Sequence, residues 1–251
     1  MPRPWLALSA FALVLLCWSV LSYGGLVKEL FLPRPHRVLW SFVEMHREGI
    51  LLPYTWDSVY RVMVGWSLAV AAAVPLGMFI ATSRRGAALI APLVEFARYL
   101  PVVALVPLTL LYFGIGDGQK FAIIFLGTFF QLVLMAADSF GSVPRDLCRA
   151  AATLGASRSQ TYRLVLMPGA LPSIMDDLRI TVGWAWTYLV VAELVAANSG
   201  LGYMIMRAQR FLAIERIFAG LIIIGLLGLF TDWLFKTLTR LCVPWSEKVG
   251  A

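Results

Sequence analysis

The run Gly114-Ile115-Gly116-Asp117-Gly118-Gln119-Lys120 is where nucleotide chemistry would first be sought, because glycines beside a lysine can wrap a phosphate chain. The order is wrong for it. A phosphate-binding loop needs Gly directly before its Lys and Ser or Thr directly after, whereas Gln119 precedes Lys120 and Phe121 follows it. No other stretch matches, so the chain is expected not to bind ATP itself. Nucleophilic hydrolysis needs a serine with a base in reach. Both histidines, His36 and His46, precede the second apolar block, and Ser157 belongs to a polar loop far along the chain. This argues against an intramembrane serine protease. Cys17, Cys148 and Cys242 are far apart and form neither a metal spacing nor a disulfide framework. No metal and no cofactor is expected.

What remains is charge and aromatic character inside apolar blocks. Glu193 lies within VVAELVAA, and a carboxylate at membrane depth is a functional candidate by default. Its position near the outer end of the block keeps a second reading open, a structural hydrogen-bonding group that reaches interfacial water. Glu95 and Arg98 stand three apart, so one helical face can hold them as a pair, expected at a cytoplasmic helix end. They either line a path or gate, or form a tethering salt bridge. Trp184 faces the same choice between lining a path and packing against neighbouring helices.

The elements that must position these groups are membrane helices. The chain has 251 residues, 60% hydrophobic and only 14% charged, too apolar for a soluble domain of that length. Several stretches reach the roughly 20 apolar residues needed to cross a hydrocarbon core. The net charge of +7 sits mostly between apolar blocks, as orientation in a membrane requires, and no basic patch with interleaved aromatics suggests nucleic acid.

Six spans are expected. The first, Trp5 to Leu21, reads as a retained span rather than a cleaved leader, since Ser22-Tyr23-Gly24-Gly25 is a poor cleavage site. Val38, Phe42, Met45 and Ile50 outline an amphipathic helix lying on the membrane surface, starting near His36 because Pro33 and Pro35 precede it. The second span runs from Trp56 to Thr82, with Arg61 snorkelling to the interface, and the third, Ala88 to Phe113, is broken by Pro92, Pro101 and Pro107. The others are Phe121 to Phe140, Ile174 to Ala197, with Asp176 and Asp177 at its first turns, and Ile217 to Leu238. Tyr203 to Phe211 reads as an outer amphipathic segment. Ala69 to Ala73, Gly77 and Gly127 suit close helix packing.

Between the fourth and fifth spans lies a polar segment, Val143 to Pro172, with its own helix grammar. Pro144 and Asp146 suit a first helical turn, and Gly155 can end that helix at positive φ. Ser157 with Gln160 reads as a capping box opening a second helix, which Met167-Pro168-Gly169 is expected to stop. Ala150, Ala151, Ala152, Gly155 and Ala156 form a small-residue face that lets another protein approach closely. With the N-terminus inside, eleven Lys and Arg fall on the cytoplasmic side, from Arg3 to Lys248, against eight outside, and this loop carries the most arginines on the inner side.

The segment resembles the cytoplasmic EAA loop of importer permeases of the ATP-binding-cassette class. Arg149-Ala150-Ala151-Ala152-Thr153-Leu154-Gly155 and Leu166-Met167-Pro168 take the motif's places. FLPRPHRV (31–38), LYFGIGDGQK (111–120), RAAATLGASRSQ (149–160), MPGALP (167–172) and VAELVAANSGLGYMI (191–205) are similar to the nitrate/sulfonate/taurine/bicarbonate-type branch. The resemblance implies an all-α, polytopic type I importer permease fold of about six transmembrane helices with cytoplasmic coupling helices. It implies a first span with an external segment (1–55) and a permease core (56–251) containing the coupling loop 143–172. The docking residues would be Arg149, Ala150, Ala151, Leu154, Gly155, Ala156, Ser157 and Pro168. Arg149 stands where the motif has Glu, which removes the carboxylate such a loop offers its partner. The implied partners are two ATPase subunits, an extracytoplasmic solute-binding protein, a second permease copy as a homodimer, and the lipid of a bacterial inner membrane. The implied cargo is a small, anionic solute such as nitrate, a sulfonate or taurine. An ion-gradient-driven secondary transporter is the alternative, but no internal repeat supports two similar halves, and it would have no use for a long two-helix cytoplasmic loop.

Overall fold

In the computed structural model, which describes residues 4–245, the chain is helical throughout. Arg3 and Lys248, counted above for orientation, lie outside the described residues. The elements in order are α1 (Pro4–Tyr23), α2 (Pro35–Arg47), α3 (Leu51–Thr82), α4 (Arg84–Ala97), a 3-10 turn (Val102–Leu105), α5 (Val106–Phe113) and α6 (Asp117–Gly141). They continue with α7 (Arg145–Thr153), α8 (Arg158–Thr161), a π-helical turn (Tyr162–Leu166), α9 (Met167–Ala196), α10 (Leu201–Arg210) and α11 (Ile214–Cys242). Among the described residues four helices are long and apolar enough to cross a membrane, and five if α4 and α5, bent by 87° at their break, form one broken span. The apolar N-terminal helix α1, 20 residues long, is about 30 Å at 1.5 Å per residue.

Two compact units emerge. The described residues of Met1–Val59 with Glu193–Leu227 form one, and those of Tyr60–Ala192 with Gly228–Gly250 form the other. In the first unit the apolar stripe expected to face lipid on α2 is covered by protein. Its Val38 and Met45 are buried against Leu201, Met204 and Ala219, and Phe42 packs alongside. The amphipathic stripe was legible, but a face of that width can be covered by protein as well as by lipid. Pro35 occupies the first turn of α2, where its missing N–H costs nothing.

In the second unit small residues set how close α3 and α6 come. Ala69 and Ala73 are fully buried, and a Cβ on Gly77 would sit 2.7 Å from that of Ala136. Arg61 corrects the snorkelling expectation. It is only 5% exposed, and its Nε donates to Asp117 Oδ1 at 2.7 Å, so a partner on α6 neutralises it in place. Met167-Pro168-Gly169 does not stop the chain either, because the helix runs on through Pro168 and Pro172 to Ala196. The widened π turn just upstream relieves the clash a proline ring makes with the carbonyl four residues back. Asp176 and Asp177 therefore lie well inside a helix instead of at its start. Asp177 accepts from Ser139 Oγ at 2.6 Å, while Arg179 joins Asp176 at 3.8 Å and Asp232 at 3.1 Å.

Candidate functional site

Three places gather the residues that the sequence singled out. The first is the helix pair α7–α8. Ala156 N–H donates to Ala151 O and Gly155 N–H to Ala152 O, both at 3.0 Å, closing α7 with Gly155 at φ +83°. Any other residue would be strained there. Ser157 Oγ accepts from Gln160 N at 3.3 Å and Gln160 Oε1 accepts from Ser157 N at 2.7 Å, the reciprocal capping box that the sequence foretold. These caps are made within the segment, and no residue of α7 or α8 is buried. Arg149, Ala150, Leu154, Gly155 and Ser157 are exposed, while Ala151, Ala156 and Pro168 are half-buried. Among the described residues Arg149 pairs only with Asp146 of its own helix, at 3.2 Å. Leu154 is 88% exposed. The two ends of the segment are rooted differently: Val143, Leu166 and Ala170 are buried with Ala136, Phe140 and Ile174 of α6 and α9.

The second place is a cavity of about 280 Å³ where the α4–α5 break meets the middle of α6 and α9. Arg98, Gly127, Gln131, Trp184, Thr187 and Tyr188 are among its lining residues. Arg98 and Trp184 are thereby brought together. Glu95 is not: it is exposed and outside the lining, and among the described residues no ion pair joins it to Arg98. Arg98 turns to its chain neighbour, donating from Nη2 to Tyr99 Oη at 2.8 Å with the guanidinium carbon 4.7 Å from the ring centre. The cavity meets α6 near mid-length, and Arg98 stands at the C-terminal end of α4. Gln131 and Thr187 carry no local mark in the sequence, and their polar side chains join the cavity only through helix packing. Gly127 allows the Tyr188 ring to lie on the α6 backbone, since a Cβ there would overlap the ring.

The third is the buried carboxylate of Glu193, 1% exposed. Ser58 Oγ donates to it at 2.9 and 3.0 Å to the two oxygens, and Gly202 N–H donates to Oε2 at 2.8 Å. The same hydroxyl oxygen accepts from Leu201 N–H at 2.8 Å. The carboxylate thus meets the opening N–H groups of α10, where the helix dipole favours negative charge. Gly200 completes the arrangement at φ +107°, with its Cα facing the carboxylate so closely that a Cβ would overlap it. Ser58, 135 residues away in sequence, had no local signal to mark it.

A bundle of membrane helices with one broken span, and an exposed helix pair rooted in the core between two of them, defines the transmembrane subunit of a transporter. The chain belongs to the family described as binding-protein-dependent transport system inner membrane component, which matches residues 73–241. A Brucella abortus (strain 2308) protein named "Probable ABC transporter permease protein" is 37% identical over 97% of this chain and 96% of its own length. The taurine transport system permease protein TauC of Escherichia coli (strain K12) is 34% identical, covering 97% of this chain and 90% of its own. Among solved structures, the MetNI methionine ABC transporter in an inward-facing conformation contains a chain with the same fold. The TM-score is 0.69 at 20% identity, covering 77% of this chain and 96% of that one. The protein is accordingly an ABC importer permease, a multi-pass inner-membrane subunit of the all-α type that the sequence resembles.

Proposed function

We propose that α7–α8 is the dock for a separate ATPase and the point where ATP-driven movement enters the membrane core. The observation that carries this is Leu154, an apolar side chain 88% exposed at the tip of a helix pair on which Leu147 is exposed as well. Such a side chain in water is unfavourable by ordinary hydrophobic accounting, and a partner's pocket would cover it. Arg149, Ala150, Ala151, Gly155, Ala156 and Ser157 surround it as a close-approach rim, and Pro168 lies where the pair joins α9. Because Val143, Leu166 and Ala170 are buried at the base, a push on the exposed pair is passed to α6 and α9 through packed side chains.

The complex would hold two such ATPases, two copies of this chain and an extracytoplasmic solute-binding protein. The cytoplasmic orientation of the loop follows from its arginines. ATP hydrolysis resides in the partner, since the chain lacks a phosphate-binding loop. Glu193, with its donors on Ser58 and Gly202, locks the turn that launches α10 and so stands as a structural lock. The name of the relative TauC supports a small anionic cargo of the sulfonate kind.

The test is co-purification of the tagged chain with its ATPase, comparing the native protein with Gly155→Glu and with a deletion of residues 150–157. Membrane insertion of each variant is checked by its elution as a monodisperse species. Retention by the native chain and loss from both variants is the expected result. An ATPase held equally by all three would contradict the proposal.

A further inference from the structure

The cavity at the broken span has a composition that selects a ligand. At ~1.5 Å per residue, Gly127 is about 15 Å from the start of α6 and Gln131 about 15 Å from its end. A hydrocarbon core is about 30 Å thick, so the cavity opens near mid-depth of the membrane. Arg98 sits at the end of α4, where the 87° bend leaves room beside the backbone. Its side chain is exposed and not buried in helix packing, and an arginine at such depth faces a polar cavity or pairs with another charge or with backbone carbonyls. Among the described residues no carboxylate lies within ion-pairing distance of Arg98, and none lines the cavity. Its one hydrogen bond goes to Tyr99, which leaves most of the guanidinium's five donors unengaged among the described residues. Gln131 and Thr187 add neutral polar groups, and Trp184 and Tyr188 supply flat apolar walls.

We propose that this cavity is the membrane-embedded binding site for a small organic oxyanion, a sulfonate or carboxylate head on a short carbon body. The inference rests on the permease reading and deepens it by naming where the solute is held and what holds it. Arg98 supplies the fork of donors that matches an oxyanion, and Thr187 and Gln131 complete the contacts to the head. Trp184 and Tyr188 cover the carbon body. The volume of about 280 Å³ lies at the small end of ligand cavities, which excludes peptides and oligosaccharides. The absence of a lining carboxylate disfavours cations. Gly127 is a positioning residue: it keeps the Tyr188 ring against α6 and out of the space the solute would use.

The experiment is a fluorescence titration of the full-length chain, purified with its ATPase in lipid nanodiscs, using ethanesulfonate and its neutral analogue ethanesulfonamide. Ethanesulfonate is expected to quench saturably, the signal vanishing in Trp184→Phe, and ethanesulfonamide to give none. Arg98→Gln is expected to weaken ethanesulfonate binding by tenfold or more, and Arg98→Lys by about threefold, because a point charge keeps the attraction but loses the fork. If Arg98→Gln does not assemble, Thr187→Val, which keeps the side chain's shape, is expected to weaken binding by about threefold. A native complex that carries its ATPase yet ignores ethanesulfonate overturns the site and leaves the permease reading standing. Equal binding by native and Arg98→Gln complexes, or by native and Thr187→Val where Arg98→Gln fails, also overturns it. A native chain that retains no ATPase overturns the permease reading itself.

Discussion

The exposed helix pair α7–α8 and the buried turn around Glu193 are opposite solutions to the same local problem, how to start and stop short helices. In α7–α8 the C-terminal cap of α7 and the N-terminal cap of α8 are made within the segment, by Gly155 at positive φ and by the Ser157–Gln160 box. The pair makes these caps from its own residues and leaves its apolar Leu154 uncovered. At the Glu193 turn the caps come from outside the helix: Ser58, 143 residues away, and Glu193, nine residues back, receive the first N–H groups of α10. A region finished internally and still exposing a large apolar group is built to meet another protein, whereas a region finished by distant buried partners is built to stay put.

The sharpest way to break that contrast is at Gly200. A Gly200→Val chain must place a β-branched residue at φ +107° with its Cβ inside the Glu193 carboxylate. A loss of about 3 kcal/mol or more is expected, seen as failure to purify or a large drop in thermal midpoint. Ser58→Ala removes one donor from Glu193 and one acceptor from Leu201 N–H, and should cost about 1–3 kcal/mol in the same assay. If Ser58→Ala leaves the midpoint unchanged, the turn is not held by this network. Leu154→Ala is the mirror experiment, with less than about 0.5 kcal/mol of stability lost, because the side chain packs on nothing in this chain. Retention of the ATPase should nevertheless fall several-fold, and a stability loss comparable to that of Ser58→Ala would erase the distinction.

How much was legible in the sequence follows the same division. The caps of α7 and α8, the Gly155 stop and the break in the third span could all be read, because glycine, proline and Ser-x-x-Gln act within a few residues. The course of the chain through Pro168 and Pro172 could not be, since a π turn upstream accommodates what proline usually ends. The pairing of Arg61 with Asp117, which displaced the expected snorkelling, spans 56 residues and leaves no periodic trace. The face of α2 was read correctly as apolar, and its burial on α10 and α11 depended on helices more than 150 residues away. In the cavity, Arg98 and Trp184 were identifiable as unusual residues in apolar blocks. Their convergence with Gln131 and Thr187 depends on which faces of α6 and α9 meet, and that was beyond local reading.

The most direct test of the account is photo-crosslinking from position 154. Leu154 is replaced by the photoreactive p-benzoylphenylalanine in the full-length chain, expressed with its ATPase in intact membranes, and irradiated. The expected result is an adduct between this chain and the ATPase, and its disappearance when Gly155→Glu is added. An adduct only with lipid, or none to the ATPase while the two proteins still co-purify, would contradict the claim that this helix pair is where the ATPase docks.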